Sequence, residues 1–228
     1  GAGGGTGMSP WHMMSEWGVP TLYIASLTYN YVHKLASKGQ YVPDIILAGG
    51  FAFEDDIFKA MALGAPYVKA VGMARSPLCA AHVGKLVAEQ INKNAIDKTI
   101  EPYGKTTDEI FVLASRVKRL FGSKGKEVPA GALGVYSYYQ RLSQGLRQLM
   151  CGSRKFALEY LTRDDVVTLT RDAAEVTGLK YIMEADSEEA EQILMGKEKT
   201  KSKIVAKVKP KATSKPRAKS KDKGKKKK

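Results

Sequence analysis

Two glycine-containing turns offer backbone N–H groups that could bind an anion. The apolar run VPDIILA at 42–48 is followed by Gly49 and Gly50, and a second run, PYVKAVGM at 66–73, contains Gly72 near its end. Glycine allows a backbone to approach a ligand closely, because it has no Cβ and tolerates positive φ. The alternative interpretation is that these glycines only form tight turns.

Charged residues distinguish the helices that follow the two turns. Glu54, Asp55 and Asp56 begin the first helix and would repel a phosphate. Arg75 and Ser76 begin the second helix and would attract one. We therefore predict that a bound anion lies over the second helix. The predicted site consists of Gly49, Gly50, Gly72, Met73, Ala74 and Arg75.

A strand–helix–strand–helix order positions both turns. The runs at 42–48 and 66–73 are typical of buried strands, and the helix predicted between them at 54–63 ends at Gly64. This order predicts parallel strands joined by a right-handed crossover. Since parallel α/β sheets bind ligands at the carboxyl ends of their strands, we expect the two turns to face one site.

Further helices are predicted from capping residues and apolar stripes. Ser76, as N-cap, and Pro77 begin a helix that reaches about Asn92. The spacing of Thr106 and Glu109 is that of a capping box. The other predicted helices span 20–38, 106–121, 133–150 and 162–176.

The net charge of +14 belongs to the carboxy-terminal segment. Residues 197–228 hold 16 basic and two acidic residues, whereas residues 1–196 hold 21 of each sign. A neutral folded part argues against a nucleic-acid-binding fold. The Lys-rich segment has too few large apolar residues to form a core, so we expect it to be disordered and able to make weak, nonspecific contacts with polyanions.

The cysteines and histidines do not form a metal-binding pattern. Cys79 and Cys151 are too few and too far apart for a thiolate cluster, and His12, His33 and His82 share no ligand spacing. We predict no metal site. No apolar run approaches the about 20 residues that span a bilayer, and no signal-peptide pattern is present, so we expect a cytoplasmic protein without a membrane partner.

Several segments, in order, resemble the last quarter of the FMN-binding barrel of glutamate synthase. They are GAGGGTGMSP at 1–10, WGVPT at 17–21 and the run from 43 to 73. GLRQLMCG at 145–152 and LTRDDVVTLT at 161–170 are similar to the helical region after this barrel.

The resemblance implies an α/β fold that is the C-terminal part of a TIM (β/α)8 barrel. Residues 1–100 would contain about strands seven and eight with their helices, 101–196 a helical extension, and 197–228 the disordered basic tail. A closed barrel takes about 250 residues and eight strands. The chain is therefore interpreted as a truncated fragment, inactive in isolation, whose remaining strands come from sequence upstream of Gly1 or from a partner subunit.

The resemblance also implies a reaction and a cofactor. Glutamate synthases transfer ammonia, released from glutamine, to 2-oxoglutarate, and reduced FMN supplies the hydride. The predicted anion site would hold the flavin phosphate. The loop that would border the flavin and the substrate consists of Gly5, Thr6, Gly7 and Ser9. The resemblance identifies neither a catalytic side chain nor an electron donor in this chain.

The chain departs from the family pattern at the iron–sulfur cluster. The stretch that is cysteine-rich in glutamate synthases reads SPLCAAHVGKLVAEQ here, with Cys79 alone. One thiolate cannot hold such a cluster, so we expect none in this chain.

Two other functions stay open at this point. One is a phosphate-binding barrel similar to inosine-monophosphate dehydrogenase, which needs a nucleophilic cysteine in a loop, whereas Cys79 falls in a predicted helix. The other is a non-catalytic fragment that acts through its basic tail.

Overall fold

The computed structural model describes Pro10, His12 and residues 18–196. The described residues up to Ala185 form one compact unit, and those from Asp186 onward belong to a second unit. The predicted substrate loop and the Lys-rich segment at 197–228 lie outside the described residues.

The first unit begins with alternating helices and strands and continues with helices. The first five elements are α1 (Thr21–Ser37), β1 (Ile45–Ala48), α2 (Glu54–Leu63), β2 (Val68–Gly72) and α3 (Arg75–Asn92). The helices that follow are α4 (Thr107–Ile110), α5 (Ala114–Leu120), α6 (Ala130–Gly152) and α7 (Arg171–Thr177). Short 3-10 turns lie at Glu101–Tyr103, Gly122–Glu127, Leu158–Tyr160 and Arg163–Asp165. The second unit contains α8 (Ser187–Leu194).

The two strands pair in parallel, as predicted, and the fold is α/β with helix predominating. Ile45 pairs with Val68, and Ala48 pairs with Gly72. The sheet has these two strands within the described part of the chain. Both strands are shorter than predicted, since residues 42–44 lie outside β1 and residues 66, 67 and 73 lie outside β2. Pro43 has no backbone N–H for a ladder hydrogen bond.

Helices cover one face of this sheet. Leu47 and Val68 are buried in a core cluster with Phe58 and Met61 of α2. On the other face Ile46 is 65% exposed. Parallel sheets normally have both faces covered, because crossover helices pack on each side. Within the described residues, one face of the sheet is therefore bare.

The long helix α6 packs against α2 and α3. Gly84 of α3 and Gly134 of α6 face each other closely: a Cβ on Gly134 would lie 3.1 Å from the Cα of Gly84. A second core cluster joins α3 to the helices that follow it; its buried members are Val87, Phe111, Ala114, Val117 and Leu133. The predicted helical extension therefore shares a core with α3.

The helix predicted at 106–121 is wrong, because the chain forms two short helices there. The capping box is present: Thr106 Oγ1 accepts from the N–H of Glu109, and Glu109 Oε2 accepts from the N–H of Thr106. Leu113, however, has a φ of 59°, which a continuous helix cannot contain. The break allows Phe111 and Val117 to be buried in the same cluster.

The helix predicted at 162–176 is also wrong in its extent. Thr162 begins only a 3-10 turn, and the β-branched residues after it are extended, with Thr168 forming a parallel bridge to Tyr181. The true helix, α7, begins after Thr170, whose hydroxyl accepts from the N–H of Ala173. It ends at Gly178 as predicted.

Candidate functional site

The two glycine turns lie side by side at the carboxyl ends of β1 and β2. Ala48 and Gly72 are paired, so the turns leave the sheet at the same edge. Gly49 and Gly50 have φ values of 130° and 76°, which strongly favour glycine. A Cβ on Gly72 would lie 3.2 Å from the Cβ of Ala48, so this glycine permits close strand contact. Turn geometry thus requires the first two glycines whether or not a ligand binds.

A side-chain hydrogen bond joins the two turns. The predicted role of Ser76 as N-cap is wrong, because α3 begins at Arg75 and Ala74 is its N-cap. Ser76 instead lies inside the first turn, and its Oγ donates to the carbonyl oxygen of Phe51 at 2.8 Å. An N-cap oxygen would instead accept a hydrogen bond from an N–H group of its own helix. The β1–α2 turn and the start of α3 are therefore one connected structure.

The charges at the two helix starts differ as the sequence suggests. Asp56 Oδ2 accepts from the N–H groups of Ala52 and Phe53, each at 3.0 Å, so a carboxylate already occupies the start of α2. The first turn of α3 contains no acidic residue and exposes Arg75. The N–H groups of Arg75 and Ser76 have no partner within the helix, since they belong to its first turn. The start of α3 is the one suited to an anion.

Sequence reasoning missed two residues that contact the β1–α2 turn. Thr21 Oγ1 donates to the carbonyl oxygen of Gly49 at 2.7 Å, and the Tyr138 hydroxyl donates to that of Ala52 at 2.6 Å. A tyrosine hydroxyl is protonated and able to donate at neutral pH, and burial raises the pKa of Tyr138 further. No local pattern indicates either contact, because the partners are 28 and 86 residues apart in the sequence.

The described residues give no support to a metal site or to a nucleophilic cysteine in a loop. No group of three or more His, Cys, Asp or Glu side chains there could hold a metal ion. Cys79 and Cys151 are free and exposed, and Cys79 lies within α3 rather than in a loop. None of the helices in the described part is both long and apolar enough to cross a membrane.

A comparison with protein families matches residues 1–88 to the conserved region in glutamate synthase. The matched segment contains both glycine turns, the two strands and most of α3. Comparisons with curated protein sequences and with solved structures gave no significant match.

Proposed function

Because residues 1–88 match the conserved region in glutamate synthase, we propose that the chain is part of an FMN-dependent oxidoreductase of the glutamate synthase type. The reaction proposed is formation of glutamate from 2-oxoglutarate and ammonia released from glutamine. The observation that carries the proposal is the joining of the two turns at one sheet edge by the bond from Ser76 to Phe51. The phosphate of the flavin would bind there.

The residues at this edge fit a phosphate group. Gly49 and Gly50 place no Cβ between the backbone and an incoming anion. The first-turn N–H groups of α3 would donate to phosphate oxygens, and Arg75 would balance their charge. Gly72, Met73 and Ala74 bring the chain to this helix start. FMN, when bound, would supply the hydride for reduction of an imine.

The substrate end of the proposed site involves residues outside the described part. The loop containing Gly5, Thr6, Gly7 and Ser9 is proposed to border the flavin and the 2-oxoglutarate-derived imine. Its backbone N–H groups and hydroxyls are the kind of donors that bind carboxylates. We propose that the reaction takes place in the cytoplasm.

The bare sheet face supports completion of a barrel by further strands. Ile46 exposes 65% of its surface on the face opposite the helices, and the sheet within the described residues has two strands, each of which forms one of its edges. Such edges and faces normally pair or pack in native proteins. We propose that upstream sequence or a partner subunit supplies the remaining strands and encloses the flavin ring.

We expect the chain to bind FMN at least about tenfold more tightly than riboflavin, since only FMN carries a phosphate. Arg75→Gln should weaken FMN binding about threefold to tenfold and leave riboflavin binding unchanged, because it removes a charge at the start of α3. Quenching of flavin fluorescence measures both affinities. Lys85→Gln is the matched control, since it removes an exposed positive charge from the same helix. Equal affinities for FMN and riboflavin would contradict the proposal.

Deletion of residues 197–228 tests the alternative function through the basic tail. The deletion removes the entire net positive charge, so binding to heparin should be lost and FMN binding should be unchanged. Elution from a heparin column against salt, with a flavin titration of the same sample, measures both properties. Heparin binding that survives the deletion would contradict the charge distribution inferred here.

A further inference from the structure

Three hydroxyl groups from three different helices hold carbonyl groups of the turn at 49–53. They belong to Thr21 in α1, Ser76 in α3 and Tyr138 in α6. All three donate to backbone oxygens, and no two of them share an acceptor. The acceptors are, in the same order, the carbonyl oxygens of Gly49, Phe51 and Ala52 at 2.7, 2.8 and 2.6 Å.

These bonds orient the peptide planes of the turn. In a trans peptide, the carbonyl of one residue and the N–H of the next point in opposite directions. Because Thr21 holds the carbonyl of Gly49, the N–H of Gly50 faces away from α1. The N–H of Gly50 has no hydrogen-bond acceptor among the described residues. It is therefore a donor with a fixed direction at the edge where the proposed phosphate lies.

The peptide planes between Phe51 and Ala52 and between Ala52 and Phe53 are held at both ends. Ser76 and Tyr138 bind the carbonyls of Phe51 and Ala52, and Asp56 accepts from the N–H groups that follow them. Two consecutive glycines with positive φ would otherwise make this turn the most adaptable part of the edge. Donors that are already oriented bind an anion without a further entropic cost of ordering.

We propose that Thr21, Ser76 and Tyr138 are positioning residues that orient the β1–α2 turn for a phosphate monoester. This inference rests on the proposed function, since FMN is the phosphate monoester in question. It adds a role for α6, which lies beyond the glutamate synthase-related segment and acts on the turn through Tyr138.

The test uses variants that remove a hydroxyl and keep the side-chain shape. Thr21→Val and Tyr138→Phe should each weaken FMN binding about tenfold, the value of one hydrogen bond, and leave riboflavin binding unchanged. Thr28→Val on α1 and Tyr139→Phe on α6 are the matched controls and should behave as the unmodified chain. A loss of general stability would weaken binding of both flavins, whereas loss of orientation changes the ratio of their affinities.

A second measurement is independent of flavin. Titration with inorganic phosphate should shift the amide resonance of Gly50 in the unmodified chain, and Thr21→Val should reduce that affinity about tenfold. If both phosphate results are obtained while FMN is not preferred over riboflavin, the positioning role is supported and the flavin function is contradicted. If the two variants keep the full FMN preference, or if Gly50 does not respond to phosphate, the positioning role is overturned.

Discussion

Replacing Gly134 with alanine is expected to destabilise the protein by about 2–4 kcal/mol, although alanine normally stabilises a helix by about 1 kcal/mol relative to glycine. A Cβ at this position would collide with the carbonyl oxygen of Ala80 and lie 3.1 Å from the Cα of Gly84. Both are backbone atoms of α3, so neither can rotate away. The two helices would have to separate along their contact.

Gly152 is the matched control, because it belongs to the same helix and has free space around it. A Cβ there would meet no atom within 4 Å. Gly152→Ala should therefore stabilise the protein by about 0.5–1 kcal/mol through helix propensity and reduced entropy of the unfolded chain. Unfolding of both variants in urea measures the difference. If Gly134→Ala were as stable as Gly152→Ala, α3 and α6 could not be in the close contact described.

The Gly134 contact also bears on the candidate site. Tyr138 lies one helical turn after Gly134 on α6, and Ser76 lies in the first turn of α3. The distance between these helices therefore sets the distance between two hydroxyls that hold the same turn. A larger residue at Gly134 should disturb the turn as well as the core, without touching either hydroxyl directly.

The features that the sequence predicted are those encoded by neighbouring residues. The helix α2 has the predicted bounds, since its acidic first turn and Gly64 are local signals. The Thr106 capping box is present for the same reason, yet the helix after it breaks at Leu113 because burial of Phe111 and Val117 decides its course. Local signals therefore predicted both ends of α2 and the capping box before α4, whereas the N-cap predicted at Ser76 and the helix start predicted at Thr162 are wrong.

The candidate site likewise has features that the sequence predicts and features that depend on tertiary packing. Parallel pairing brings Gly50 and the start of α3 to one edge of the sheet. The order of strands and helices was sufficient to predict that these two segments lie close together. The bonds made by Thr21 and Tyr138 depend on how α1 and α6 pack around the turn. A hydroxyl has no periodic pattern that marks its acceptor, so such contacts require the tertiary structure.

Arg163→Met is expected to lower the free energy of unfolding by about 2–4 kcal/mol, because the Arg163 guanidinium bonds to two helix ends at once. Its Nη1 donates to the carbonyl oxygen of Leu63 at 2.6 Å, and its Nη2 donates to that of Thr177. These two residues end α2 and α7, where unpaired carbonyls carry partial negative charge. The guanidinium also lies 3.9 Å from the centre of the Tyr29 ring.

Arg171 provides the control, because its guanidinium also lies over a tyrosine ring but is exposed and bonds to no helix end among the described residues. Its guanidinium lies 4.8 Å from the Tyr181 ring and pairs with Glu184 at 2.9 Å. Solvent weakens such contacts, so Arg171→Met should cost less than about 1 kcal/mol in the same urea experiment. Equal costs for the two variants would show that binding two helix ends adds nothing to stability.

Arg163→Lys separates charge from geometry at this position. Burial lowers the pKa of Arg163, yet a guanidinium remains protonated, so the native side chain keeps its charge between the two helix ends. Lysine retains a positive charge on a flexible stem but lacks the planar fork that reaches two carbonyls at once. It should therefore recover less than half of the stability lost in Arg163→Met. Full recovery by lysine would mean that charge near the helix ends, rather than the paired hydrogen bonds, stabilises the junction of α2 and α7.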